Sequence, residues 1–257
     1  MIDIALVSYI NTRPFMDGFE AKIKDREIRF HLLPPVDCAT HLHQGKCQMA
    51  LRPVGALAQF KNISIMPNYC IGADGEVASV FLFSQEPLEN LDTIYLDRHS
   101  RSSNGLLQIL MKHHWKKEVR YHKPEFKHFD KIKGSAGGVV IGDKAIRIRD
   151  QYAYAYDLAQ AWKDMTGLPF AFAVWAYLPE AFTSEQLRQL NDAMRFGVEQ
   201  APKSAAKWAP EYKLDPEFAH KYLSHYIDFQ FDDGKHKALD LYYKLLLDLP
   251  QPELQLV

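Results

Sequence analysis

The sequence predicts an α/β protein with two lobes, each built on a doubly wound sheet, and a more helical C-terminal part. Three observations predict this class. Short apolar segments alternate with amphipathic helical segments from the first residues onward. Two further apolar segments, residues 81–84 and 172–175, lie where the chain can cross between lobes and return. The 257 residues are enough for two lobes of about 100 residues or more each.

The first lobe opens with strand and helix segments in alternation. Residues 2–7 are apolar and β-prone, and Pro14 begins a helix after the polar residues that follow them. The alternation continues with strands over residues 28–33 and 48–51, a helix that Asp37 caps, and a turn or helix that Pro53 begins. The apolar residues 78–84 end this series.

A second series begins with a strand over residues 93–96. The helix that Ser100 opens has Leu106, Leu107 and Leu110 on one face. Further along, the sequence predicts a strand over residues 139–141, a helix that ends at Gly167, and helices that start at Thr183 with a capping box to Gln186, at Asp215 and at Leu239.

Polar loops follow the predicted strands at residues 8–13, 52–55, 97–103 and 142–144. The carboxyl ends of parallel strands are where α/β sheets bind ligands. With residues 1–83 and 176–257 in one lobe and 84–175 in the other, we expect a substrate cleft between the lobes. The SRSS segment at residues 100–103 places hydroxyl, amide and guanidinium groups at a helix start. It therefore either grips a carboxylate or caps its helix without a ligand.

The charge balance argues against nucleic acid and membrane partners. Lys and Arg number 31 against 32 Asp and Glu, which gives a net charge of -1 and no long-range field for anions. The basic segment of residues 112–133 is interleaved with acidic residues and predicts a solvated surface. The longest apolar run, residues 170–178, is shorter than a membrane span of roughly 18 residues.

The remaining motifs predict no metal and no nucleotide. The paired histidines at residues 41 and 43 and at 113 and 114 lack a clustered set of carboxylates or cysteines, and there is no glycine-rich phosphate loop. Three cysteines without CxxC spacing indicate reduced thiols rather than disulfides. With no leader segment in the first residues, we expect a cytoplasmic protein.

Seven motifs in order give a more specific indication. They are SYINTRP at 8–14, PVGAL at 53–57, CIGADG at 70–75, VASV at 77–80, SRSS at 100–103, IGDKA at 141–145, and TGLPF at 166–170 leading into FAVW at 172–175. In these motifs the chain resembles the chorismate dehydratase family of the futalosine route to menaquinone. The resemblance implies a type II periplasmic-binding-protein-like fold.

The resemblance also implies a reaction without a cofactor. Water is eliminated from chorismate to give 3-[(1-carboxyvinyl)oxy]benzoate, and aromatisation supplies the driving force. The partner is this small-molecule substrate, with no nucleic acid and no membrane, and the chain is a monomer or a homodimer. The enolpyruvyl carboxylate of the substrate takes the ring proton, which explains why no acid/base dyad is evident.

Residue by residue, the resemblance implies that Asn11 and Ser79 are catalytic. Asn11 bonds the leaving hydroxyl or positions the enolpyruvyl carboxylate, and Ser79 donates to a substrate oxygen. The implied substrate-binding residues are Ser8, Tyr9, Arg52, Pro53, Val54, Arg101, Ser102, Ser103, Gly142 and Asp143.

Each of these assignments has a structural alternative. Asn11 and Asp143 each suit a helix cap, and Ser79 suits an ordinary strand position. Arg52 stands where relatives usually carry an aliphatic residue, so it is either an additional carboxylate clamp or a surface residue. Trp175 is a core residue or lines the cleft.

Two other functions fit the same fold. A non-catalytic binding protein or effector-sensing module is disfavoured because neither a leader nor a helix-turn-helix segment is evident. The related dihydroxynaphthoate synthase family places a catalytic histidine just after the strand at residues 139–141. This chain has Gly142 there, so the dehydratase is the preferred prediction.

Overall fold

The computed structural model describes residues 1–23, 28–59, 62–122 and 128–249, without the side chains of residues 57–59 and 128. The strands in these ranges are β1 (Ile2–Val7), β2 (Ile28–Leu33), β3 (Met49–Pro53), β4 (Ser64–Ala73), β5 (Val80–Ser84), β6 (Thr93–Tyr95), β7 (Arg120–His122), β8 (Ala136–Ile141), β9 (Tyr154–Asp157), β10 (Phe170–Tyr177) and β11 (Asp228–Phe231). The helices are α1 (Arg13–Lys22), α2 (Pro35–His43), α3 (Arg101–His113), α4 (Gly142–Ile148), α5 (Leu158–Thr166), α6 (Ser184–Glu199), α7 (Ala201–Tyr212), α8 (Pro216–Lys221) and α9 (Asp233–Leu247). Within the same ranges, no helix combines the length and the apolar character that crossing a membrane requires.

The predicted α/β class is confirmed, and the chain divides into two compact units. Among the described residues, unit 1 lies within residues 1–72 and 171–232, and unit 2 lies within residues 73–170 and 233–249. The predicted boundaries, after residues 83 and 175, differ from this division. β5 lies between β8 and β9 in the sheet of unit 2, which brings residues 73–83 into that unit.

The sequence places the C-terminal helix in the first lobe, but the contacts of α9 place it in unit 2. The ring of Tyr242 on α9 packs edge-on against Phe170, with ring centroids 5.4 Å apart. Its hydroxyl donates to the carbonyl oxygen of Ser102 on α3 at 3.2 Å. Tyr242 is fully buried, so this aromatic anchor accounts for the placement of α9.

In unit 1 the strand order is β11-β4-β10-β3-β1-β2 over the described ranges. β1 runs parallel to β2 and β3, with Ile4 opposite Met49, while β10 is antiparallel to β3. Because β1 and β3 are parallel neighbours, the loops that follow them emerge at the same sheet edge. Trp175 of β10 packs edge-on against Phe15 and Phe19 of α1 at 5.3 and 5.7 Å. It is fully buried, so the core interpretation of Trp175 is confirmed and the cleft interpretation is wrong.

Helices α1 and α6 cross at two glycines. A methyl group built on Gly18 would overlap the backbone of Ala193 and Gly197, and one built on Gly197 would overlap the carbonyl of Pro14. The two backbones are therefore in direct contact, and neither position has room for a side chain.

In unit 2 the described strands have the order β7-β6-β8-β5-β9. β6 is parallel to β7 and β8, and β5 is antiparallel to β8 and β9, with Val80 opposite Ile141 and Phe81 opposite Asp157. The ends of β6, β8 and β9 and the start of β5 consequently meet at one sheet edge. The sheet packs on a core that includes Phe81, Phe83 and Val140.

Several predicted helix ends are confirmed. Ser100 caps α3, Thr183 and Gln186 form the capping box of α6, and Asp215 caps α8. Gly167 ends α5 with a φ of 73°, which glycine adopts readily. By contrast, Asp37 is not a cap, because α2 already begins at Pro35 and Asp37 lies in its first turn.

The cysteines Cys38, Cys47 and Cys70 are free and buried, as predicted for reduced thiols. Burial raises the pKa of the Cys47 thiol to about 11. The Cys47 thiol therefore stays protonated and behaves as a small core residue.

Candidate functional site

Asn11 of unit 1 is held by a buried side-chain hydrogen bond. It lies in a short 3-10 turn, Ile10–Thr12, directly after β1 and before α1. Its Nδ2 donates to the hydroxyl oxygen of Tyr222 at 3.1 Å, and the two residues are 7% and 0% exposed. Tyr222 opens a π-helical segment, Tyr222–Tyr226, a rare conformation that is frequent at functional sites.

The helix-cap interpretation of Asn11 is wrong. The cap position of α1 is Thr12, and no side chain caps this helix end. The Thr12 hydroxyl instead donates to the carbonyl oxygens of Val7 and Tyr9, at 2.7 and 3.0 Å. These contacts brace the loop that carries Asn11.

The other predicted residues of unit 1 lie on the neighbouring loop and the same sheet edge. Ser8 is exposed and Tyr9 is half-buried, whereas Pro53 and Val54 are buried. Arg52 is 1% exposed, and its Nη2 donates to the carbonyl oxygen of Ala56 at 2.9 Å. The surface interpretation of Arg52 is therefore wrong: the guanidinium lies inside unit 1 and braces the loop after β3.

Ser79 of unit 2 is held through its backbone. It is 2% exposed and directly precedes β5, so the strand interpretation is wrong by one residue. Its carbonyl oxygen accepts from the N–H of Gly142 at 2.8 Å. Gly142 has a φ of 68° and Ala78 a φ of 57°. The left-handed conformation costs an alanine roughly 1 kcal/mol, so other contacts must hold Ala78 there.

Asp157 provides those contacts. Its Oδ2 accepts from the N–H groups of Val77 and Ala78 at 3.1 and 2.8 Å. Its Oδ1 caps α5 by accepting from Ala159 and Gln160 at 2.9 and 3.1 Å. Burial raises the pKa of Asp157 to about 6, although the N–H groups act in the opposite direction.

The predicted carboxylate-binding segment of unit 2 is a buried helix start. Ser100, Ser102 and Ser103 are 6%, 2% and 2% exposed, and Arg101 is half-buried. The Ser100 Oγ accepts from the N–H of Ser103 at 3.2 Å and donates to the Ser103 Oγ at 2.7 Å. The N–H of Ser103 thus serves the helix cap, which reduces the set of donors that the sequence assigned to a substrate.

Asp143 is buried in the first turn of α4 and does not cap it. The cap position is Ile141, with no side-chain hydrogen bond. The capping interpretation of Asp143 is therefore wrong, and its substrate-binding role stays a prediction.

The structure brings the predicted residues together within each unit. In unit 1, the loops at residues 8–11 and 52–54 share one sheet edge. In unit 2, Ser79, residues 101–103, Gly142 and Asp143 share another. Among the described residues, no group of three His, Cys, Asp or Glu side chains is placed to hold a metal ion.

Sequence reasoning missed Tyr222 and Asp157. Tyr222 is 211 residues from Asn11 in the chain, and no local pattern joins them. Asp157 stands directly before the apolar residues of α5, which is a cap signal. That signal does not reveal the contact with the loop at residues 77 and 78.

Comparison with solved structures identifies the class of the fold. A Candida albicans protein with the generic periplasmic binding protein fold matches with a TM-score of 0.71 at 12% identity, covering 99% of this chain and 93% of that one. An Archaeoglobus fulgidus protein matches with a TM-score of 0.78 at 16% identity, covering 96% and 97%. The fold is therefore that of periplasmic binding proteins, as predicted.

The sequence comparison is more specific. This chain belongs to the menaquinone biosynthesis family, whose sequence profile matches residues 2–248. A chorismate dehydratase from Thermus thermophilus is 28% identical over 180 residues, which are 63% of this chain and 66% of that protein. The resemblance predicted from the seven motifs is confirmed.

Proposed function

We propose that this protein is a chorismate dehydratase, which eliminates water from chorismate to give 3-[(1-carboxyvinyl)oxy]benzoate. The observation that carries the proposal is the family match over residues 2–248, together with a relative of that activity. The burial of Asn11 and Ser79 supports it, because a donor shielded from water bonds a substrate oxygen more strongly than an exposed one does.

The reaction needs no change of oxidation state. A proton leaves the ring carbon that bears the ether, and its electron pair becomes the third double bond of the ring as the carbon–oxygen bond to the hydroxyl breaks. The enolpyruvyl carboxylate accepts the proton and passes it to the departing hydroxide, which leaves as water. Aromatisation favours the products, so the protein has to orient the substrate and stabilise the departing oxygen.

Neutral donors suit that task. A tyrosine hydroxyl already engages Nδ2 of Asn11, which fixes the direction of the amide. The amide can then bond the leaving hydroxyl or the enolpyruvyl carboxylate. The Ser79 hydroxyl donates to a substrate oxygen, and the hydroxyl of Ser102 holds a carboxylate.

The residue at position 142 disfavours the related dihydroxynaphthoate synthase. That family resembles this chain in architecture and places a catalytic histidine just after the strand at residues 139–141, where this chain has Gly142. Without an imidazole at that position, the dehydratase is the preferred proposal.

The test is direct. Purified protein is mixed with chorismate without added metal or nucleotide, beside a protein-free blank. We expect the diene absorbance to disappear and mass spectrometry to show the loss of one water. Chorismate recovered intact would reject the proposal, and saturable binding without turnover would instead indicate a non-catalytic binding protein of this fold.

A further inference from the structure

We propose that Asp157 is a positioning residue for Ser79: its carboxylate holds the turn before Ser79 in the conformation that turnover requires. The inference rests on the proposed function, since it assigns Ser79 to the reaction. Asp157 lies outside the seven family motifs, and its cap signal does not indicate the contact with the turn before Ser79.

The turn before Ser79 has a backbone conformation that needs outside contacts. Ala78 is left-handed, with a φ of 57°, and directly precedes Ser79. An alanine keeps this conformation only where surrounding contacts impose it. The N–H groups of Val77 and Ala78 converge on Oδ2 of Asp157, at 3.1 and 2.8 Å. An acceptor that takes two successive N–H groups favours the observed turn over an extended one.

Asp157 is itself anchored at a strand end and at a helix start. It ends β9 opposite Phe81, two residues beyond Ser79 in the neighbouring strand. Its Oδ1 is fixed by the N–H groups of Ala159 and Gln160 at the start of α5. The carboxylate thus joins the end of β9, the start of α5 and the turn at residues 77 and 78. Because the strand and the helix are rigid, the turn is held in place by its contact with them.

Ser79 is held from its other side as well. Its carbonyl oxygen accepts from the N–H of Gly142 at 2.8 Å. With Asp157 fixing the preceding peptides and Gly142 the following one, the backbone of Ser79 has little freedom. Loss of the Asp157 contacts releases one of these two restraints.

Protonation of Asp157 should weaken the restraint. A carboxylic acid carries a hydrogen on one oxygen, which then opposes an N–H group instead of accepting from it. Burial raises the pKa of Asp157 to about 6, so the change falls just below neutral pH. An open cavity of about 430 Å³ lies beside Asp157 and gives water access to it.

The charged groups around Asp157 line the same cavity. Glu76 on the preceding loop, Arg149 after α4, Asp164 on α5 and His114 after α3 line its wall. Arg149 is 3.6 Å from Glu76, and the charge of Glu76 further raises the pKa of Asp157. His114 is the histidine on this wall, so a His114→Gln variant serves as the control for the pH profile.

The experiment compares steady-state chorismate conversion by the wild type and by Asp157→Asn and Asp157→Ser between about pH 5 and about pH 8. Asn and Ser both suit the cap of α5, whereas neither offers the turn a carboxylate oxygen. We expect kcat at the upper pH to fall about tenfold with little change in KM. We also expect the wild-type kcat to fall as pH drops through about 6. The two Asp157 variants should lose this pH dependence, whereas His114→Gln should keep it.

Two further variants separate positioning from stability. Thr183→Ala removes the cap of α6 in unit 1, and it should lower stability without changing kcat. Ala78→Gly adopts the left-handed turn at no steric cost, so in the Asp157→Asn background it should restore roughly threefold of the lost kcat. A purely structural role for Asp157 predicts no such recovery.

The failures are distinguishable. An inactive wild type rejects the proposed function itself, and this inference with it. An active wild type with unchanged kcat in Asp157→Asn and Asp157→Ser overturns the inference alone. If those variants do not fold, the inference is tested in the wild type by following the NMR chemical shifts of the Val77 and Ala78 amides as a function of pH. We expect them to titrate with a midpoint at about 6, and signals that stay constant over the range would overturn the inference.

Discussion

The two residues assigned to the chemistry are buried to a similar degree but are held in different ways. Asn11 in unit 1 is fixed by one neutral hydroxyl, that of Tyr222. The backbone around Ser79 in unit 2 is fixed by a glycine N–H and by a carboxylate. A neutral side-chain contact is indifferent to pH near neutrality, whereas a carboxylate contact is not. The pH response of this protein should therefore arise in unit 2.

The largest effect should come from Asn11 itself. Asn11→Ala removes the amide, and we expect kcat for chorismate to fall about a hundredfold, as for other donors to a developing oxyanion. The variant should stay folded, because the lost partner is one hydroxyl. Asn191→Ala, which removes the amide that pairs with Asn68 on the same unit, is the control. Near-normal turnover by Asn11→Ala would remove Asn11 from the catalytic assignment.

The pH dependence of stability tests unit 2 next. The pKa of Asp157 is raised on folding to about 6, from 3.8, so the native state holds this proton more tightly than the unfolded chain does. The contribution of Asp157 to the free energy of unfolding is therefore present at low pH and lost as pH rises through about 6.

Relative to Asp157→Asn, the wild type should lose on the order of 2 kcal/mol between about pH 4 and about pH 7, measured by urea denaturation. Activity should rise over part of the same range, so stability and turnover respond in opposite directions. A difference between the two proteins that does not vary with pH would place the pKa of Asp157 near its ordinary value.

A smaller effect should follow from Tyr222→Phe. Removing the hydroxyl leaves the Asn11 amide free to rotate, and we expect kcat to fall about tenfold at every pH between about 5 and about 8. Tyr226→Phe, in the same π-helical segment, is the matched control and should have normal kcat. A Tyr222→Phe defect confined to one end of the pH range would contradict the assignment of the pH response to unit 2.

The smallest effect concerns the helix caps. Ser100→Ala and Thr183→Ala each remove a cap, and each should lower the free energy of unfolding by about 1 kcal/mol in urea denaturation. Only Ser100→Ala should raise KM for chorismate, because Ser100 orients the hydroxyl of Ser103. Equal KM values in the two variants would remove Ser103 from the substrate-binding set.

Local patterns predicted the elements better than their grouping into units. The caps at Ser100, Thr183 and Asp215 depend on neighbouring residues, and all three are confirmed. The positions of β5 and α9 depend on contacts far along the chain. The apolar composition of residues 80–84 fits either sheet equally well. For α9, the buried contact of Tyr242 with Ser102 determines that the helix joins unit 2.

The same limit applies to the candidate site. The motifs identified Asn11 and Ser79, and the strand pattern predicted which loops share a sheet edge. Burial of Arg52 could not be predicted, because an arginine usually lies on the surface. The partners of Asn11 and Ser79 could not be predicted either, since Tyr222 and Asp157 are far from them in sequence.

The crossing of α1 and α6 has a consequence for how this protein tolerates change. At Gly18 and Gly197 the two backbones already touch, so the separation of these helices is at its minimum and cannot shrink when neighbouring side chains vary. α1 begins two residues after Asn11, and it therefore supplies a fixed origin for the loop that carries the amide. Random mutagenesis aimed at a wider substrate range can alter the surroundings of that amide freely, while every surviving clone should retain glycine at both crossing positions.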